Sequence, residues 1–541
     1  GVTKNKMSMD WQSTNTMLYT ATARYDWSND KHSVGALVGT SYEHYKYERL
    51  AGSREEFPSD ALTDMEAGST SGAGYTNGAG SSEYKMLSYF ARVNYTLMDR
   101  YLLEVNMRAD ASSRFHKDHR WGYFPSFSAG WRMNEEGFMK DIEWINNLKI
   151  RASYGTLGNI NNVGNYDYFQ NYSSGNHYNF SDSPVIGIGE SKPANETLGW
   201  EKVALTDIGL DFDIFNGLLG VTADYYIKNT SDILLGYNVP TETGITAAPS
   251  QNIGKVKNTG FELALNHRNK IGAVNYSIGA NIATNKNKIT NLGGSDNIIQ
   301  TSSYIVKYIL KKGESIGSFY GFKTDGLYTQ ADIDAGHYYT LSGVVPNAGD
   351  VKFVPQRDIE YKQEITDEDR TILGKDVPDF TYGVNLSLQY KGFEFSMFGQ
   401  GISGTKVAFD VYGVHPFYHG QDNPRKYHLK RWTEENPNPY AAYPRLYSAS
   451  SVHTTYNRNF SDYHLFDSDY FRFKTLSLGY TVPSATVKSW GLQSLKVYVT
   501  GENLFTVRAD KKMEDFDPET AGGVIYTLGT KSVAFGVNIS F

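Results

Sequence analysis

Four aromatic residues lie close together in a polar stretch, NYDYFQNYSSGNHYNF at residues 165–180: Tyr166, Tyr168, Phe169 and Tyr172. Aromatic faces stack on the C–H faces of sugar rings while neighbouring Asn and Asp bond hydroxyls. The same composition takes a peptide, through backbone hydrogen bonds and apolar pockets. Loop-on-loop packing also uses Tyr, because its rigid ring buries area while its hydroxyl stays satisfied. These four are the candidate ligand-binding residues. The chain has no cysteine, and its 12 His are scattered without HExxH or a similar spacing, so no metal or cofactor site is expected. No nucleophile stands with a base and an acid, and no glycine-rich phosphate loop follows a strand. The paired acids Glu135-Glu136 and Glu434-Glu435 fall in turns or loops. No catalytic residue is expected, and the chain reads as a non-enzyme. A net charge of −7, from 52 Lys+Arg against 59 Asp+Glu, makes no case for nucleic acid.

The elements that must hold such loops are strands with two unlike faces. In FTYGVNLSLQYKGFEFSMFGQG (residues 380–401), Phe380, Tyr382, Val384, Leu386, Leu388 and Tyr390 share one parity. Thr381, Gly383, Asn385, Ser387 and Gln389 share the other, as a side-chain period of two requires. The same alternation recurs at 91–97, 103–107, 148–154, 274–282, 476–482 and 533–541. No run of 18 apolar residues exists, so no transmembrane helix is expected; barrel strands average out to polar and escape that test. A soluble β-sandwich or propeller also alternates. Against it stand long charged residues in mid-strand on the polar face (Arg92, Glu104, Arg108 and Arg151), Tyr and Phe at the ends of the apolar face, and sharply unequal connections. Short links near Ser28-Asn29-Asp30, Met98-Asp99-Arg100, Phe215-Asn216-Gly217, Asn269-Lys270 and Lys391-Gly392 alternate with long ones covering about 51–83, 110–121, 159–199, 236–255, 330–379 and 404–468. That is the pattern of a transmembrane antiparallel β-barrel with periplasmic turns and extracellular loops in a lipid bilayer. Keeping the alternation through 285–330 needs strands at 304–310 and 318–328, giving about 17 strands. An odd count would leave an open edge in lipid, so roughly five further strands are expected before residue 1.

Several stretches resemble the SusC/RagA family of TonB-dependent outer-membrane transporters. DASSRFHKDHRWGYFPSFSAGWRMNEEGF (110–138) is the clearest, followed in the family's order by LKIRASYGTLGN (148–159), DYYIKNTSDILL (224–235), NIGKVKNTGFEL (252–263), GSFYGFKTDGLY (317–328), RWTEENPN (431–438), YFRFKTLSLGYTVP (470–483) and GENLF (501–505). The resemblance implies a 22-stranded barrel of which residues 1–541 are the C-terminal portion, with the N-terminal plug and first strands outside this chain. It implies import of an oligosaccharide or peptide, driven through the TonB complex by way of the N-terminal remainder of the same barrel, under a SusD/RagB-like surface lipoprotein. A passive outer-membrane porin or structural barrel is the alternative. Many family members carry an EF-hand-like run before the FTYG strand. Here that register reads DIEYKQEITDED (358–369), with Asp358 and Asp369 kept but Lys362 and Gln363 where the family places Asp and Gly. A lysine at a ligand position repels Ca²⁺, so a solvated acidic loop without metal is expected.

Overall fold

The computed structural model describes residues 4–70, 74–180, 183–236, 250–301, 305–409, 414–417, 423–519 and 529–541. It divides into two compact units: Gly1–Trp131 with Arg151–Thr206 and Asn229–Lys255, and Arg132–Ile150 with Asp207–Lys228 and Val256–Phe541.

The first unit contains an antiparallel meander of β1 (Lys6–Ser28), β2 (His32–Glu55), β3 (Tyr75–Leu97), β4 (Tyr101–Ser112) and β5 (Trp121–Arg132), each paired with the next. Its period-two pattern becomes rows across the strands. Val93 pairs with Val105 and Val105 with Phe127, while Arg92 pairs with Asn106 and Asn106 with Ser126. Val93, Val105 and Phe127 are 46%, 57% and 56% exposed, so this apolar face has no protein core against it. An apolar face that large left open by the fold is what a lipid-facing sheet presents. β1, β2 and β3 have 23, 24 and 23 residues. A tilted strand crosses a bilayer in about 9–11 residues. The ladder therefore continues well past a membrane's thickness, and pairing out to Arg54 and Tyr75 narrows the long connection expected over 51–83.

Further along the chain run β6 (Ile145–Asn159), β7 (Asn171–Phe180), β8 (Ser183–Lys192), β9 (Glu201–Ile214), β10 (Leu219–Gly236), β11 (Ser250–Ile271) and β12 (Val274–Thr284). In the second unit β12 pairs with β13 (Phe380–Tyr390), and the meander goes on through β14 (Phe393–Ser403), β15 (Tyr470–Thr481), β16 (Ser494–Arg508) and β17 (Ser532–Ser540). One row across it reads Tyr276, Leu388, Phe395, Leu478, Val499, Phe535. The adjacent row reads Ser277, Ser387, Ser396, Ser477, Thr500, Ala534. The Ser477 and Thr500 hydroxyls lie 2.9 Å apart, which fixes them on one face.

Short links match the expected turns closely. Met98-Asp99 (φ 52° and 57°), Phe215-Asn216 (51° and 55°) and Lys391-Gly392 (45° and 87°) have positive φ at both central residues. That is the type I′ geometry whose twist suits two-residue hairpins. The turn expected near Asn269-Lys270 falls three residues later, at Gly272-Ala273, because β11 pairs with β12 as far as Ile271 against Val274.

The strands expected at 304–310 and 318–328 do not join the meander, which corrects the count of about 17. Lys307–Lys311 and Ser318–Gly321 belong to a four-stranded sheet with Asn297–Thr301 and Thr371–Lys375, and Lys323–Leu327 pairs with Val351–Val354. These strands have only 4 or 5 residues. Their side chains serve soluble-type cores instead of a lipid face. Phe322, Leu327, Val351, Phe353 and Tyr456 make one such cluster, and Val306, Phe319, Ala408, Phe460 and Leu465 another. The connections of the second unit are thus folded substructures.

Candidate functional site

The aromatic stretch of the first unit leaves β6 and ends in the hairpin of β7 and β8. Its base is a small core of Phe115, Phe124, Val163, Leu198 and Trp200, against which Tyr168 packs half-buried. Arg114 ties the stretch down by donating to the Ile160 and Val163 carbonyls, 3.1 Å each, while its guanidinium lies 4.4 Å above the Tyr84 ring. Trp200 Nε1 donates to the Arg120 carbonyl at 2.8 Å. Asp167 accepts from the Gly164 N–H at 2.6 Å and pairs with Lys192 Nζ at 3.0 Å. Gly164 and Lys192 are 28 residues apart, so one carboxylate joins both ends of the excursion.

The four candidate residues divide on this base. Tyr168 is tied to the core, edge-on to the His116 ring at 6.0 Å. Phe169 lies on Tyr168 with centroids 4.1 Å apart and on Tyr166 at 6.4 Å. Tyr166 is 47% exposed although its hydroxyl accepts from the Glu83 N–H at 3.1 Å, and Phe169 is 48% exposed. Tyr172 stands apart on β7, 64% exposed. Tyr166 and Phe169 therefore form a fixed aromatic step, Tyr168 its support, and Tyr172 a separate exposed ring. Fixed rings lose little side-chain entropy when a ligand stacks on them.

Two of the charged residues read on the polar parity, Glu104 and Arg108, are used internally. Arg108 Nε donates to both Asp110 carboxylate oxygens at 2.8 Å and its Nη2 to Ser88 Oγ at 3.0 Å, while Asn106 donates to Glu104 at 2.8 Å. In the second unit Arg472, on β15, donates to Asp517 and Glu519, each at 2.7 Å, and Lys474 reaches Glu519 at 2.8 Å. Glu519 also accepts from Gln400 at 3.1 Å and from the Tyr470 hydroxyl at 3.2 Å. This network straps the segment after β16 onto the polar face. Sequence reasoning missed it, because acids and cations more than 40 residues apart carry no spacing signal.

The run 358–369 has a different use for its acids. Asp369 is fully buried and accepts from the N–H groups of Gln356 and Arg357 at 3.0 Å and of Thr366 at 2.9 Å, and from Arg357 Nη2 at 2.7 Å. Burial alone would raise its pKa; the Arg357 guanidinium and these backbone donors outweigh it and hold the carboxyl at about 2. Asp358 is exposed. Lys362 sits at φ 69° with its N–H on the Tyr338 carbonyl at 2.6 Å. Asp369 is therefore committed to an internal cation.

A family model described as TonB dependent receptor-like, beta-barrel, matches residues 3–504, and the chain belongs to that family. It is an outer-membrane β-barrel protein of a transporter and receptor family. Its relatives bear out the SusC/RagA likeness of the motifs. The chain is 31% identical to TonB-dependent receptor P3 of Formosa agariphila over 89% of its own length and 47% of that protein. It is 29% identical to TonB-dependent receptor SusC of Bacteroides thetaiotaomicron over 84% of its length and 43% of that protein. The solved RagAB peptide transporter superposes with a TM-score of 0.81 at 26% identity, covering 99% of this chain and 56% of that one. The chain spans about half the length of the curated relatives it matches.

Proposed function

We propose that the protein imports a nutrient, an oligosaccharide or a peptide, across the outer membrane, with energy delivered through TonB. The observation that carries this reading is the match to the TonB-dependent barrel family over residues 3–504. The plug and the TonB-binding segment then belong to the protein outside these 541 residues. The likeness to the RagAB peptide transporter supports a two-component arrangement, with a SusD/RagB-like lipoprotein over the extracellular loops. Tyr166, Phe169 and Tyr172 are the exposed rings on which solute would first stack, with Tyr168 supporting the step.

The test is uptake of labelled oligosaccharides and peptides by cells expressing the full-length protein, with and without functional TonB. Uptake abolished by loss of TonB supports the reading. Uptake that is unchanged without TonB, and linear in solute concentration, overturns it in favour of a passive porin.

A further inference from the structure

On the polar face of the second unit, above Gln400 of β14 and Tyr470 of β15, lies a cavity of about 420 Å³. This is within the size range of small-molecule sites. One wall is aromatic: Tyr308 and Phe319, with ring centroids 5.0 Å apart, face it together with Tyr470. Three charged side chains line it, Asp376, Lys406 and Glu519. Glu519 is already matched by Arg472 and Lys474. Asp376 and Lys406 are different: among the described residues neither has an ion-pair partner.

Glycines make room for both side chains. Gly317 holds φ +73°, and a Cβ there would lie 1.7 Å from Asp376 Oδ1. Gly374 holds φ +144°, and a Cβ there would lie 2.6 Å from the Lys406 stem. Two residues without side chains thus seat one acid and one base on the wall of a single cavity. Asp376 is exposed at the cavity and Lys406 is half-buried, so both charges are open to a solute; the desolvation that Asp376 does undergo raises its carboxyl from the ordinary range.

We propose that this cavity binds a solute carrying an ammonium and a carboxylate together, a short peptide or a peptide terminus, with the ammonium on Asp376 and the carboxylate on Lys406. A zwitterion matches both charges on the cavity wall, whereas a neutral sugar matches neither and a purely cationic or anionic solute only one. The inference rests on the importer reading and narrows its substrate class to peptides.

The experiment is calorimetric titration of the purified full-length protein with trialanine, N-acetyl-trialanine, trialanine amide and maltotriose. Trialanine is expected to bind, and each cap to weaken binding to wild type more than tenfold. Asp376→Asn should weaken trialanine by a similar factor while leaving N-acetyl-trialanine as in wild type. Lys406→Met should do the same with respect to the amide. The proposal is overturned if trialanine does not bind, if capping changes nothing on the wild-type protein, or if maltotriose binds and trialanine does not. The capped ligands on wild type keep the test decisive even if a variant misfolds. Uptake that ignores TonB, with capping-sensitive binding intact, would sink the importer reading and leave this site standing.

Discussion

Arg357 and Asp369 form a charge-assisted pair inside the loop before β13, 2.7 Å from Nη2 to the carboxylate, with the acid sealed from solvent and its partner one-third exposed. The pair closes the 12-residue excursion that would otherwise read as a cation loop. Removing the guanidinium leaves the buried carboxylate held by backbone N–H groups alone. Arg357→Ala is therefore expected to destabilise this loop, measured as loss of amide-exchange protection over residues 356–370. Added Ca²⁺ should leave that protection unchanged.

The same pair sets an acid limit. Asp369 titrates at about 2, below its ordinary value of 3.8. A depressed carboxyl stabilises the fold above its unfolded pKa and loses that contribution as pH falls through the folded value. The loop should keep full protection above pH 4 and lose on the order of 2 kcal/mol by pH 2. Asp369→Asn should abolish this step while lowering stability at neutral pH.

A second acid response comes from His415 and His464, both buried, with rings 5.3 Å apart. His415 Nδ1 meets the Tyr443 hydroxyl at 3.0 Å, and its buried Nε2 has no hydrogen-bond partner among the described residues. Burial, with the nearby Lys512, holds His464 at about 4, and burial, with His464, Arg458 and His428, holds His415 well below the usual imidazole range. Folding favours the neutral rings, so their contribution is complete above pH 6.5 and falls away toward pH 4. Protection factors for amide exchange over 460–468 should fall between pH 6.5 and 5, and His415→Phe should flatten that dependence.

The two faces of the meander should respond oppositely to charge. Leu386 pairs with Ile278 on one side and Met397 on the other. Leu386→Arg near the bilayer midplane is expected to cost about 2–4 kcal/mol in denaturant unfolding from lipid vesicles, and Ser477→Arg on the polar face less than about 1 kcal/mol. Equal costs would contradict the assignment of faces.

What the sequence made legible follows from range. Alternation is local, so Val93, Val105, Ile278 and Leu386 found their faces from their immediate neighbours. Hairpins of two residues left no room for another connection. Lys307–Lys311 and Ser318–Gly321 misled because short apolar strands look alike whether they meet lipid or a loop core. Within the aromatic stretch, composition singled out Tyr166, Tyr168, Phe169 and Tyr172 alike and could not separate the exposed rings from Tyr168, which packs against the core of Phe115 and Leu198. The Asp376–Lys406 cavity left no trace in the sequence, because it is made by residues brought together from 308 to 519.

The central claim is that alternate residues of these strands face lipid and an aqueous interior. The absence of cysteine allows a direct measurement. Single cysteines placed at Ile278, Leu386, Leu478 and Val537, and at Ser277, Asn385, Ser477 and Asn538, can be probed in outer-membrane vesicles with a membrane-impermeant charged maleimide and with a lipid-soluble one. The first four should react with the lipid-soluble reagent alone, and the second four with the charged one. Both sets reacting alike with the charged reagent, or both being inaccessible to either, would contradict the account.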